Sequence, residues 1–155
     1  MELEDVFRAH QQAVFAYFLR LVGNRHDAEE LTQETFVRAC GAAVRFRGDA
    51  KVTTWLFGIA RRVLLEASRA GLFERRPVLP DDPASPAPED APEDRLDLVR
   101  ALAGLGFIDR EALVMVDMLG FEPIEVAGML EITPDAFRVR LHRARGRLRE
   151  VYGRG

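Results

Sequence analysis

The sequence of 155 residues has few of the residues that build disulfide frameworks and metal centres. Its single cysteine, Cys40, can form no internal disulfide and belongs to no CxxC pair. The three histidines, His10, His26 and His142, are isolated, with no HExxH motif or other ligand spacing. We therefore predict a chain without a metal ion or a cofactor.

Long apolar runs are missing as well. No stretch approaches the ~20 apolar residues that cross a bilayer, and the acidic start, MELEDVF, lacks the basic segment of a secretory signal. The sequence therefore predicts a cytoplasmic protein with no membrane insertion of its own.

The sequence also lacks the common catalytic motifs. It has no glycine-rich phosphate-binding loop and no GxSxG nucleophile motif. Acidic residues between positions 27 and 34 could bind a metal ion or transfer protons, but carboxylates at the start of a helix are more often solvated and stabilised by the helix dipole. We therefore predict that the protein is not an enzyme.

Proline is concentrated in one acidic segment. Six of the eight prolines lie within residues 77–92. Proline has no amide donor and disfavours helix in the residue before it, so this segment forms neither a helix nor a central strand. We predict a flexible acidic linker over 77–93, with an ordered surface loop as the alternative. The linker separates a domain of residues 1–76 from a domain of residues 94–155.

Apolar residues recur at three- and four-residue steps on both sides of this linker, and no alternating strand pattern of useful length occurs. The fold class is therefore all-α, with two small helical domains. The helices are predicted over residues 3–21, 26–44, 53–70, 94–105, 109–119, 122–131 and 134–152. The tight turn at 131–133 and the basic amphipathic helix after it are typical of a helix-turn-helix.

The net charge of −3 conceals two basic blocks. Residues 45–76 contain eight bases and three acids, and residues 138–155 contain seven bases and one acid. The second block is the last predicted helix, whose charge favours phosphates and whose turn would present it to a major groove. The first block adds aromatic residues, as single-strand binding surfaces do, although Trp55 falls in an apolar stripe and is favoured as a core residue. The alternative to DNA binding is a solvated charged face.

Two parts of the sequence resemble a known family. Residues 27–39 (DAEELTQETFVRA) and 46–62 (FRGDAKVTTWLFGIARR) resemble sigma-factor region 2, and residues 109–150 resemble region 4. Two such regions joined by a short linker resemble the extracytoplasmic-function (ECF) branch. The resemblance implies a factor that binds core RNA polymerase, melts the −10 element and reads the −35 element. A stand-alone helix-turn-helix regulator and an adaptor that binds only proteins are the alternatives.

The resemblance also implies roles for individual residues. Docking on the clamp helices of polymerase would fall on Glu30, Gln33, Glu34 and Arg38. Binding of the −10 element and capture of a flipped base would fall on Phe46, Arg47, Gly48, Asp49, Lys51, Thr54, Arg61 and Arg62. The −35 duplex would be read by Arg138, Val139, His142 and Arg143, with phosphates contacted by Arg140 and Arg145. The further partners implied are the polymerase flap and an anti-sigma factor.

Four residues depart from the family pattern. Arg62 stands where asparagine is common, and Val116 stands where a basic residue is common. Glu131 occupies a turn position that usually carries glycine and would be strained at a positive φ. Asp135 favours the dipole of the recognition helix but would repel a nearby phosphate. The change at Arg62 concerns the identity of the captured −10 base, and the other three changes imply weak −35 binding or reliance on polymerase to hold region 4 in place.

Overall fold

The computed structural model describes residues 2–48, 51–71 and 101–152, with Tyr152 described by its backbone alone. Across these ranges the regular structure is helical, and no strand is found. The all-α prediction is therefore confirmed.

The chain divides into two compact units, Met1–Pro77 and Val78–Gly155. The predicted linker, residues 77–93, and Asp49 of the predicted −10 site lie outside the described residues. Each unit is described by itself below.

The first unit contains three helices, α1 (Leu3–Val22), α2 (Arg25–Ala42) and α3 (Val52–Arg69). Gly23, with a φ of 71°, ends α1, and the Asn24 side chain accepts a hydrogen bond from the Asp27 amide to begin α2. A 3₁₀ turn follows α2, so that the predicted helix 26–44 ends two residues early. The helices enclose a core that includes Val14, Tyr17, Phe18, Leu56, Phe57 and Leu64.

The second unit begins, within the described residues, with a helical stretch at 101–103. Three longer elements follow: α4 (Phe107–Leu113) with a π-helical turn at Val114–Met118, α5 (Pro123–Leu130) and α6 (Pro134–Tyr152). Proline stands at the first position of both α5 and α6, where its missing amide donor costs nothing. The core packed between these elements includes Leu113, Met115, Val126, Phe137, Leu141 and Ala144.

The turn between α5 and α6 has the geometry of a helix-turn-helix with one strained residue. Glu131 adopts φ 58° and ψ 39°, the left-handed region that favours glycine. For a residue with a Cβ this conformation costs roughly 1–2 kcal/mol. Glu131 therefore has the positive φ at which a non-glycine residue is strained. The Thr133 hydroxyl then accepts a hydrogen bond from the Ala136 amide at 3.1 Å and caps α6.

Candidate nucleic-acid interface

One face of α2 carries the residues predicted to dock on polymerase. Glu30, Gln33 and Glu34 are exposed, whereas Leu31 and Phe36 on the other side are buried. The structure therefore brings the three polar side chains together on one accessible surface, as the helical spacing predicts.

Arg38 differs from these three because it is bound within the domain. Its Nε lies 2.9 Å from Glu34 Oε1, and its Nη2 lies 2.5 Å from Glu66 Oε2 on α3. The hydrogen bonds to Glu66 and Glu34 raise the pKa of Arg38, and the Arg38 guanidinium lowers the pKa of the Glu66 carboxyl. Arg38 thus ties α2 to α3, a role that the sequence did not reveal.

A groove of about 380 Å³ runs between α1 and α2, beside the Gln33 side chain. Its apolar walls are Phe7, Phe15 and Phe36, and the Phe7 and Phe36 rings meet edge to face with their centroids 4.9 Å apart. Phe7 is exposed although it falls in the apolar stripe of α1. The sequence missed this groove because periodicity marks Phe7 as an apolar position without showing that nothing covers it.

The predicted −10 residues lie around the start of α3. The Phe46 and Trp55 rings pack together with centroids 5.1 Å apart, and both side chains are half-buried. Trp55 is therefore not a fully buried core residue, and its ring is partly covered by Phe46 rather than fully open for stacking. Arg47, Gly48 and Lys51 around this aromatic pair are exposed.

The remaining −10 residues lie along α3. Thr54 and Arg61 are seven residues apart and share one side of the helix. Both are half-buried, and Arg62 beside them is exposed. Positive charge therefore extends from the aromatic pair along α3.

The predicted −35 residues lie on the side of α6 that is turned away from the core. Arg138, Val139, His142 and Arg143 are all exposed, and Arg140 is half-buried. The Arg138 side chain is paired with Asp135, its Nη1 2.9 Å from Asp135 Oδ1. The structure therefore brings the predicted −35 residues together and adds a carboxylate that competes for one of them.

Two arginines of α6 are bound to acids of the preceding elements. Arg145 donates two hydrogen bonds to Asp117, at 3.1 and 2.7 Å, and this pairing raises the pKa of Arg145. Arg147 Nη1 lies 2.6 Å from Asp109 Oδ2 at the start of α4. Both contacts hold α6 against the elements before it. The phosphate contact of Arg145 stays a prediction.

Comparison with known proteins identifies both units. Residues 6–71 match the family model of sigma-70 region 2, and residues 95–148 match that of sigma-70 region 4. CarQ of Myxococcus xanthus, an RNA polymerase sigma factor, is 33% identical over 97% of this chain and 88% of its own length. The chain belongs to the ECF RNA polymerase sigma factors.

Other relatives agree with this assignment. The ECF sigma factor SigC of Mycobacterium tuberculosis is 34% identical over 94% of this sigma factor and 80% of its own length. SigE of Mycolicibacterium smegmatis is 35% identical over 95% of the chain, which spans 60% of the length of that relative. The fold is that of the sigma factor RpoE of Bartonella quintana, solved with NepR, with a TM-score of 0.80, 24% identity, and coverage of 96% of this chain and 94% of that one.

Sigma factors are transcription regulators rather than enzymes, and the ranges that the structure describes hold no cluster of three His, Cys, Asp or Glu residues suited to a metal ion. In the same ranges no helix is both long and apolar enough to cross a membrane. In the acidic cluster at 27–34, Asp27 lies at the capped start of α2 and Glu34 pairs with Arg38.

Proposed function

We propose that this ECF sigma factor binds core RNA polymerase and directs promoter-specific initiation, and that its two domains have separate functions. Residues 1–76 bind polymerase and melt the −10 element, residues 77–93 form a flexible linker, and residues 94–155 read the −35 element. The observation that carries this proposal is the exposed basic face of α6, which is the second helix of the helix-turn-helix. The same chain also contains a region 2 domain.

Polymerase docking is assigned to the exposed face of α2. Glu30, Gln33 and Glu34 offer carboxylate and amide groups to the polymerase clamp helices. The adjacent groove offers apolar area beside them, and an apolar centre with a polar rim is the common anatomy of a protein interface. Arg38 acts as a positioning residue that fixes this face against α3. The second domain is assigned to the polymerase flap.

Melting of the −10 element is assigned to the loop before α3 and to the basic side of that helix. An unpaired base is stabilised by stacking and by cationic groups. The Phe46–Trp55 pair supplies aromatic surface, and Arg47, Lys51 and Arg62 supply exposed positive charge around it. The other residues proposed for this site are Gly48, Asp49, Thr54 and Arg61.

Reading of the −35 duplex is assigned to the first half of α6. Side chains near the start of a recognition helix reach base edges in the major groove. Val139, His142 and Arg143 lie there on the exposed side. Arg138 joins them once Asp135 releases it, and Arg140 and Arg145 are assigned to phosphates.

An anti-sigma factor is the further partner that we propose. RpoE of Bartonella quintana was solved with NepR, and CnrH was solved with the cytosolic domain of CnrY. A partner that covers the α2 face and its groove would block polymerase docking. With polymerase and promoter DNA as its targets, the factor is assigned to the cytoplasm and to a non-enzymatic role.

Run-off transcription with the full chain and core polymerase tests this function. We expect start sites that appear only when the factor is added, and we expect their loss in the double variant Gln33→Ala/Glu34→Arg. Glu4→Arg, on the exposed side of α1, is the matched control and leaves initiation unchanged. If no template gives factor-dependent transcripts, the proposal is wrong. Failure to capture polymerase with retained duplex binding would indicate a stand-alone regulator instead.

A further inference from the structure

One apolar side chain stands in the exposed basic face of α6. Val139 is 49% exposed, whereas Phe137, Leu141 and Ala144 on the same helix are buried. At 3.6 residues per turn, Val139 points about 200° away from Leu141, directly opposite the core. Packing within the domain therefore does not account for a valine at this position.

The neighbours of Val139 place it at the centre of the reading face. One turn earlier lie Asp135 and Ala136, and one turn later lie His142 and Arg143, all exposed. The polar members of this group supply hydrogen-bond donors and acceptors. Val139 supplies only methyl groups, so its partner in DNA must be apolar as well.

The major groove offers one apolar group at the base edges, the C5-methyl of thymine. We propose that Val139 reads a thymine of the −35 element through this methyl group. The inference rests on the proposed role of α6 in −35 recognition and adds the identity of one base. Because valine cannot form hydrogen bonds, the preference depends on the methyl group alone and disappears when that group is removed.

Deoxyuridine provides the test, because it differs from thymidine only in that methyl group. The full chain is assembled with core polymerase on a promoter found by mapping transcript starts, and each −35 thymine is replaced singly by deoxyuridine. Burial of one methyl-sized group corresponds to about a fourfold change in affinity. We expect a loss of this size at a single position for the wild-type factor, measured as promoter binding.

The variants Val139→Ala and Val139→Ser then separate the contact from general binding. Val139→Ser is expected to bind the thymine and deoxyuridine promoters equally at that position, whereas Val139→Ala, which keeps one methyl group, is expected to discriminate less than the wild type. The control is Ile108→Ala, which trims an exposed apolar side chain of α4 and keeps the wild-type discrimination. Circular dichroism verifies that all variants are folded.

Two kinds of failure are distinguishable. Val139 is not a methyl reader if the −35 element has no methyl-sensitive thymine, or if Val139→Ser keeps the fourfold discrimination. If scrambling the whole −35 element changes neither binding nor initiation, the proposed role of α6 fails and the inference fails with it. Loss of discrimination in Val139→Ser but not in Ile108→Ala supports both the methyl contact of Val139 and the proposed role of α6.

Discussion

Replacing Arg147 with glutamine tests whether α6 is held in place by an ion pair of unequal burial. The Asp109 side chain is only 9% exposed, whereas Arg147 is 58% exposed, and their closest atoms are 2.6 Å apart. Within the described residues, Arg147 is the cation paired with this carboxylate. The variant therefore leaves a nearly buried charge without its partner.

The expected cost follows from that asymmetry. A buried group that loses its hydrogen-bond partner costs ~1–3 kcal/mol, and solvent around Arg147 screens part of the interaction. Asp109 also lies in the first turn of α4, where the helix dipole stabilises a carboxylate that has lost its partner. We therefore expect a loss of about 1–2 kcal/mol. For a domain of this size the melting temperature falls by roughly 4–8 °C per kcal/mol.

Two probes and one comparison variant make the assay specific. Trp55 is the single tryptophan of the chain and lies in α3, so its fluorescence reports unfolding of the first unit. We expect Arg147→Gln to shift the circular dichroism melt and to leave the tryptophan curve unchanged. Arg145→Gln is the comparison variant, because Arg145 and Asp117 are 48% and 39% exposed and solvent screens their ion pair, so its expected shift is the smaller of the two. Equal falls of the melting temperature in the two variants would refute this reasoning. So would a fall in Arg147→Gln that is as large by tryptophan fluorescence as by circular dichroism.

Three further predictions concern single contacts. Glu131→Gly relieves the left-handed strain and should stabilise the protein by about 0.5–1 kcal/mol in urea denaturation. Gly120→Ala, at a position with φ 80°, should destabilise the protein. A destabilised Glu131→Gly variant together with a stabilised Gly120→Ala variant would be evidence against the strain. Asp135→Asn removes an exposed carboxylate and frees Arg138 for base contacts, so affinity for an intact −35 element should rise more than affinity for a scrambled one; equal rises on both would contradict this. Arg38→Gln should raise the pKa of the Glu66 carboxyl towards its ordinary range in a side-chain NMR titration, since the Arg38 hydrogen bond lowers it. At neutral pH the wild-type protein should therefore be more stable than Arg38→Gln, and this difference in the free energy of unfolding should disappear as the pH falls through the lowered pKa of Glu66. Identical titrations of Glu66 in both proteins would contradict the pairing.

The helices were predictable because their signals are local. The bounds of a helix follow from its apolar stripe, its capping residue and its stop residue, all of which lie close together in the sequence. The predicted helix at 134–152 therefore coincides with α6, and the prediction at 53–70 differs from α3 by one residue at each end. At the turn, the sequence indicated that Glu131 would be strained at a positive φ, and the structure shows a φ of 58° there.

The ion pairs between elements were not predictable because they depend on tertiary packing. Arg38 and Glu66 are 28 residues apart, and Arg147 and Asp109 are 38 residues apart. Hydrophobic periodicity places each side chain on a face of its own helix but does not reveal which acid of another helix lies opposite it. The sequence therefore identified the charged residues without separating structural ones from those free to bind a partner.

Ion pairs within the second unit reduce the positive charge that the basic block at 138–155 can offer to DNA. Three of its arginines are matched by acids of the preceding segment, in the pairs Arg138–Asp135, Arg145–Asp117 and Arg147–Asp109. Arg140, Arg143 and Arg149 are not paired with an acid among the described residues. Much of the +6 charge that the sequence assigns to DNA is therefore already neutralised inside the domain. Because non-specific DNA affinity follows the number of phosphates that Lys and Arg neutralise, we expect the −35 recognition proposed for α6 to depend more on base contacts from residues such as Val139 than on charge.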